Sequence, residues 1–235
     1  METFGLGHLW AQADLVIRIV ALLLLAMSIT SWYLIVLRLL RQTRARHHER
    51  AVEAFWSAPD LAHGLRRLGE LAPASPFEDL ARQGAAAAEH VRRHTGLDSL
   101  GGKLDADEVI TRALRKSIAL STARLESGMT LLASIGSTAP FVGLFGTVWG
   151  IYHALLSIGT AGAATLDKVA GPVGEALIMT ACGLFVAIPA VLAYNATTRV
   201  IRLELSELDA FAHDLHAWFS TGARIAPLID GEGAH

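Results

Sequence analysis

Three long apolar runs interrupt an otherwise charged sequence, and they constrain the fold more than any other feature. A helix needs about 20 mostly apolar residues to cross a bilayer. The first run, residues 19–37 (IVALLLLAMSITSWYLIVL), is bracketed by Arg18 and Arg38. The second covers about 129–158 and the third about 169–194. Both are longer than a minimal span, which permits tilt. The expected fold class is therefore an all-α integral membrane protein, with three transmembrane helices and long helical cytoplasmic extensions. A hydrophobic fraction of 52% over 235 residues agrees with that. The first run reads as a retained span and not as a cleaved leader. No Lys or Arg precedes Arg18, Glu2 is acidic, and the basic cluster follows the run.

Basic residues set the expected orientation. Arg41, Arg44, Arg46 and Arg50 follow the first span, ten more Lys or Arg lie between them and Glu126, and Arg199 and Arg202 follow the third. Positive charge marks the cytoplasmic side. Residues 1–17 are thus expected outside, 18–40 as the first span, and 41–128 as a cytoplasmic helical domain. Residues 129–158 form the second span, 159–168 an outer loop, 169–195 the third span, and 196–235 a cytoplasmic C-terminal helix and tail. The arginines at 41–50 read as an anchor on anionic membrane lipid and not as a nucleic-acid patch.

Within 41–128, proline and glycine divide the chain into helical pieces at 47–57, after Pro59, and at 76–94, followed by a loop at 97–102. Asp105 and Glu108 resemble a capping pair. No proline follows before Pro140, so the sequence predicts one helix over about 106–158, roughly 80 Å long at 1.5 Å per residue.

The spans hold the informative polar and small residues. Gly136, Ala139, Gly143, Gly146 and Gly150 step by three and four along the second span. Ala176, Thr180, Gly183, Ala187 and Ala190 do the same along the third. Small residues let membrane helices approach closely, so these seams pack against each other or against further copies of the chain. Span one is Leu-rich and lacks a seam, which favours an oligomer.

Glu175 stands at the start of the third apolar run, and a carboxylate in hydrocarbon is costly unless it faces protein or water. It reads either as part of an ion path or as a protonated or salt-bridged Glu near the outer end of the span that stabilises a helix N-terminus. Thr147 and Thr180 either bond their own helix backbones or add donors and acceptors to a water wire beside Glu175. Pro140 and Pro189 each free a backbone carbonyl and permit a kink. His90 with His94, and His213 with His216, have metal-compatible spacing but no supporting motif, so no metal or other cofactor is expected. Cys182 is the only cysteine, which excludes a disulfide within one chain. No phosphate loop or nucleophile elbow occurs, so neither catalytic residues nor enzymatic activity are expected.

Two segments carry a family resemblance. Residues 137–151, STAPFVGLFGTVWGI, and 170–195, AGPVGEALIMTACGLFVAIPAVLAYN, resemble the second- and third-span signatures of the ExbB, TolQ and MotA proton-channel superfamily. The wording TAPFVG at 138–143 is closer to the ExbB branch. One departure is Val173-Gly174 before the glutamate, where the family often has Ile-Ala.

The resemblance implies a bacterial inner-membrane protein with a periplasmic N-terminus, assembled as a homopentamer. Its pore would hold an ExbD-type single-span partner, and proton flow would act through TonB on outer-membrane receptors for iron-siderophores or vitamin B12. Glu175, Thr147 and Thr180 would then be the polar residues of the proton path. The rival readings are a TolQ-like subunit of the Tol-Pal envelope system and a non-conducting membrane scaffold.

Overall fold

A computed structural model describes residues 14–45, 48–94, 106–161 and 166–222. Seven helices run through them: α1 (Leu15–Ala45), α2 (His48–Trp56), α3 (Leu61–Leu71), α4 (Pro76–His94), α5 (Ala106–Glu126), α6 (Met129–Ala161) and α7 (Leu166–Thr221). No strand occurs among the described residues. Three stretches of helix are long and apolar enough to cross a membrane. This is an all-α membrane protein.

The single helix expected over 106–158 is in fact two. The chain breaks between α5 and α6 at Ser127–Gly128, where Gly128 takes φ +83°. Only glycine enters that left-handed region without strain. A side chain there would also meet Leu34 Cδ2 of α1 at 3.1 Å. A search for proline alone passes over such a break. The capping role expected of Asp105 falls outside the described residues.

The chain divides into two compact units. The first comprises Met1–Leu40 and Gly128–Thr198, and so holds the membrane portions of α1, α6 and α7. Its polarity is inverted relative to a water-soluble bundle. Phe141, Val148, Phe185 and Leu192 point outward, and the interior is lined by Ala139, Ala176, Ala187 and Ala190 with a few larger residues such as Leu24 and Leu132. In lipid, outward apolar bulk costs nothing, and close approach of backbones supplies the cohesion. Ser31 of α1 and Thr147 of α6 are the buried polar residues among those described in this unit.

The second unit comprises Arg41–Ser127 and Arg199–His235. It has a conventional core: Phe55, Leu68, Phe77, Leu80, Leu114, Leu208, Phe211 and Leu215 are buried together. Phe211 meets Phe55 edge-on at a centroid distance of 5.5 Å and Phe77 at 5.8 Å. Local signals set the short helices. Asp60 accepts the His63 backbone N–H at 2.7 Å and caps α3. Ser75 accepts the Glu78 N–H at 3.2 Å before Pro76 opens α4, and Glu78 in turn accepts the N–H of Ala74, whose φ is 55°.

Candidate functional site

The site begins with two glycines. A Cβ on Gly143 would lie 2.5 Å from the Met179 carbonyl oxygen and 3.0 Å from Gly183 Cα. One on Gly183 would lie 2.6 Å from the Ala139 oxygen and 3.1 Å from Gly143 Cα. At this crossing α6 and α7 touch backbone to backbone. On either side the seam continues antiparallel: Gly150 sits under Ala176, Gly146 under Met179, and Gly136 under Val191. The two small-residue stripes therefore meet within one chain. They carry no argument for an oligomer. α1 joins the same seam, with Val20 against Gly146 and Ile17 against Gly150.

Close approach brings the two threonines together. Thr147 is buried, with 5% of its surface exposed. Its hydroxyl lies 3.1 Å from the Gly143 oxygen one turn back, 3.1 Å from the Ala176 oxygen of α7, and 2.5 Å from the Thr180 hydroxyl. Both readings of these residues hold at once, because Thr147 bonds its own helix and also crosses to its neighbour. Each hydroxyl has one proton to donate and can accept two. When Thr180 donates to Thr147, Thr147 is free to donate to a carbonyl of either helix. Chemically this is a short chain of hydroxyls that ends on a backbone carbonyl.

Glu175 belongs to α7, directly before the Ala176 whose carbonyl accepts from Thr147. Its side chain lies outside the described residues. Successive helix positions turn by about 100°, so position 175 stands about that far round the helix from Ala176 of the seam and close to the line of 182. Cys182 on that line is an exposed free thiol in the single chain.

Three residues that pattern reading passed over also meet here. Trp149 Nε1 donates to Asp14 Oδ2 at 2.9 Å, and His153 Nε2 lies 3.7 Å from the same oxygen. The available signal was the i, i+4 spacing of Trp149 and His153, with Asp14 one turn before Arg18. Nothing in the sequence joins the two segments. Of the histidine pairs, His216 faces Asp107 at 2.9 Å. Among the described residues no three His, Cys, Asp or Glu side chains converge on a point that could hold a metal ion. Pro140 and Pro189 lie inside α6 and α7, which stay helical through them.

Thr147→Val keeps the shape of the side chain and removes the hydroxyl that reaches two partners on α7. It is expected to weaken the α6–α7 contact by about 1 kcal/mol, whereas Thr147→Ser is expected to stay near the parent. Thermal unfolding of the detergent-purified protein reads the difference, and equal midpoints for Val and Ser would refute the bridging role.

The comparisons with known proteins point one way. The profile of the MotA/TolQ/ExbB proton channel family matches residues 76–210, a stretch that includes Thr147, Glu175 and Thr180. The biopolymer transport protein ExbB of Xanthomonas campestris pv. campestris (strain B100) is 49% identical over 209 residues, covering 88% of this chain and 83% of that protein. ExbB of Neisseria meningitidis serogroup A is 44% identical over 216 residues, covering 90% and 96%. The Tol-Pal system protein TolQ of Pseudomonas aeruginosa is 38% identical over 219 residues, covering 91% of each.

Proposed function

The chain belongs to the MotA/TolQ/ExbB proton channel family, and from that premise we propose that it is an ExbB-type subunit of the bacterial inner membrane. In this reading it uses the proton-motive force, within a TonB–ExbB–ExbD assembly, to power receptor-mediated uptake of iron-siderophores and vitamin B12. The observation that carries the reading is the linked hydroxyl pair Thr147–Thr180 between two apolar helices, with Thr147 buried and bonded also to the carbonyl of Ala176, the residue after Glu175. Polar and ionisable groups are expensive inside a membrane and mark ion pathways there. No bond-making chemistry is assigned to the chain.

The assembly follows the same reading: a homopentamer around an ExbD-type single span, with the N-terminus and the 159–168 loop periplasmic and the C-terminus cytoplasmic. The arginines at 41–50, 199 and 202 support that orientation. The outward apolar surface of the first unit leaves α6 and α7 free to meet lipid on one side and further copies on another. The 38% identity to a TolQ protein over 91% of the chain favours a second reading, a Tol-Pal subunit.

Removing the chain from its cell separates the two. The proposed role predicts poor growth under iron restriction, relieved by excess iron salt, with an intact outer membrane. Normal growth without iron together with a leaky, detergent-sensitive envelope would transfer the assignment to the Tol-Pal role. Mass measurement of the purified complex is expected to give five copies plus partner. A monomer in gentle detergent would overturn the pore.

A further inference from the structure

The seam between α6 and α7 closes within one chain and says nothing of how copies meet; the second unit does. Among its described residues three large apolar side chains are exposed: Leu71, Leu120 at 52% and Leu203 at 59%. A lone exposed leucine needs no explanation. Leu120 and Leu203, however, lie beyond the apolar runs, with Arg124 and Glu126 between one and the second run, and Arg199 and Arg202 between the third run and the other. Each also has a charge one helical turn away. Lys116 of α5 stands four residues before Leu120, and Glu207 of α7 four residues after Leu203. Neither charge has an ion-pair partner among the described residues, whereas Arg112 is held by Glu108 at 2.7 Å and Arg124 by Asp79 at 2.8 Å. Loss of water contact pushes the Glu207 carboxyl above its ordinary value, and the charge of Glu49 on α2 adds to the push. Two neighbouring carboxylates without a cation carry a cost that a cation from outside would remove.

The two charged turns also stand level. α5 and α7 run antiparallel, with Asp107 at the start of α5 lying 2.9 Å from His216 and 2.8 Å from Ser220 near the end of α7. Measured from the Asp107–His216 contact, Lys116 is nine residues along α5 and Glu207 nine residues back along α7. Leu120 and Leu203 are both thirteen residues from it. At about 1.5 Å per residue, lysine is level with glutamate and leucine with leucine. They occupy different flanks of the unit. Lys116 and Leu120 share a helix line with Arg124, whose partner Asp79 belongs to α4. Glu207 lies on the side of α2, which bears Glu49.

A rotation about an axis along these helices leaves heights unchanged, so the α5 flank of one copy can meet the α7 flank of the next with both pairs in register. Because the two flanks differ, such a contact is head-to-tail, the kind that closes rings. We infer that copies of the chain join in this way: Lys116 sits against the Glu49–Glu207 pair of the next copy, and Leu120 packs on its Leu203. The inference rests on the proposed function only in taking the chain to assemble as a ring of copies.

Charge exchange tests the contact in the purified full-length complex, read by mass measurement. Lys116→Glu and Glu207→Lys are each expected to lower the ratio of complete ring to smaller species about tenfold, because like charges then face each other across the contact. The double variant is expected to recover most of that ratio, since each reversed charge again meets its opposite on the next copy. All three are expected to keep the parent's helix content by circular dichroism, which separates loss of assembly from loss of folding. Cysteines read the same contact directly. In a Cys182→Ser background, a chain with both Leu120→Cys and Leu203→Cys is expected to form a ladder of linked chains under a mild oxidant. Chains bearing one cysteine each are expected to link only when the two kinds are co-expressed, and only in pairs. Parent-like ring ratios in both single reversals, no recovery in the double, or no link between the two cysteines would overturn the inference. A ladder that ends at a count other than five sinks the pentamer of the proposed function alone. Five copies by mass, with neither link nor recovery, sinks this inference alone.

Discussion

Valine in place of Gly143 is expected to abolish proton-driven uptake, because it forces α6 away from α7. The first added carbon already lies 2.5 Å from the Met179 oxygen and 3.0 Å from Gly183 Cα. Those are backbone atoms, and backbone cannot turn aside as the end of a flexible side chain can. Overpacking of a tight interior costs about 1–3 kcal/mol. The helices relieve it by separating, and the 3.1 Å bond from Thr147 to Ala176 has no slack to absorb an extra ångström. Gly183→Val is expected to behave the same way. Gly174→Ala provides the contrast, since nothing lies within 4 Å of a Cβ there. Alanine is the better helix former by up to about 1 kcal/mol, so that variant is expected to match or exceed the parent in stability. Uptake and thermal midpoint, measured on chains present at equal levels in the membrane, check all three. A fully active Gly143→Val chain would mean that the crossing is not the working arrangement.

Glu175→Gln is expected to leave the protein assembled in the membrane at the parent level and to cut uptake by about a hundredfold or more, the scale of loss when a proton-transferring group is removed. Glutamine keeps the volume and hydrogen-bonding ends of glutamate but cannot release or take up a proton. The threonines cannot compensate, because a relay of hydroxyls only passes on what a neighbouring acid or water delivers. The same substitution separates the channel reading from the scaffold reading. If the assembled Gln variant supports parent-level uptake, the glutamate serves only to seat a partner helix, and proton conduction through this position is excluded. Measuring the mass of the variant complex beside its uptake keeps loss of assembly distinct from loss of conduction.

Much of this was legible in the sequence, for reasons that differ by element. A bilayer demands length and apolarity, and a sequence displays both directly, so three spans follow from reading it. Small residues at steps of three and four mark a contact line on a helix, which is why Gly143 and Gly183 could be picked out separately. That they meet each other was not legible, because periodicity names a face and not its partner. Thr147 with Thr180, Asp14 with Trp149, and Phe55 with Phe211 are pairings of that second kind. The break at Gly128 was hidden differently. Glycine occurs in intact membrane helices too, including at Gly136 and Gly146 within α6, and only its backbone angle distinguishes a stop from a seam. Proline, which attracts attention first, sits at 140 and 189 without ending either helix.

The row of glycines and alanines between α6 and α7 has a mechanical consequence. A slip of one helical turn, about 5.4 Å, would carry Gly143 off Gly183 towards Met179 or Ala187, and either brings a Cβ to a crossing that has room for none. What such a slip cannot recover is the meeting of Thr147 with Thr180, since the seam offers no second hydroxyl on either side. The glycine crossing and the polar pair thus act together as a detent. Together they fix one axial setting of α7 on α6.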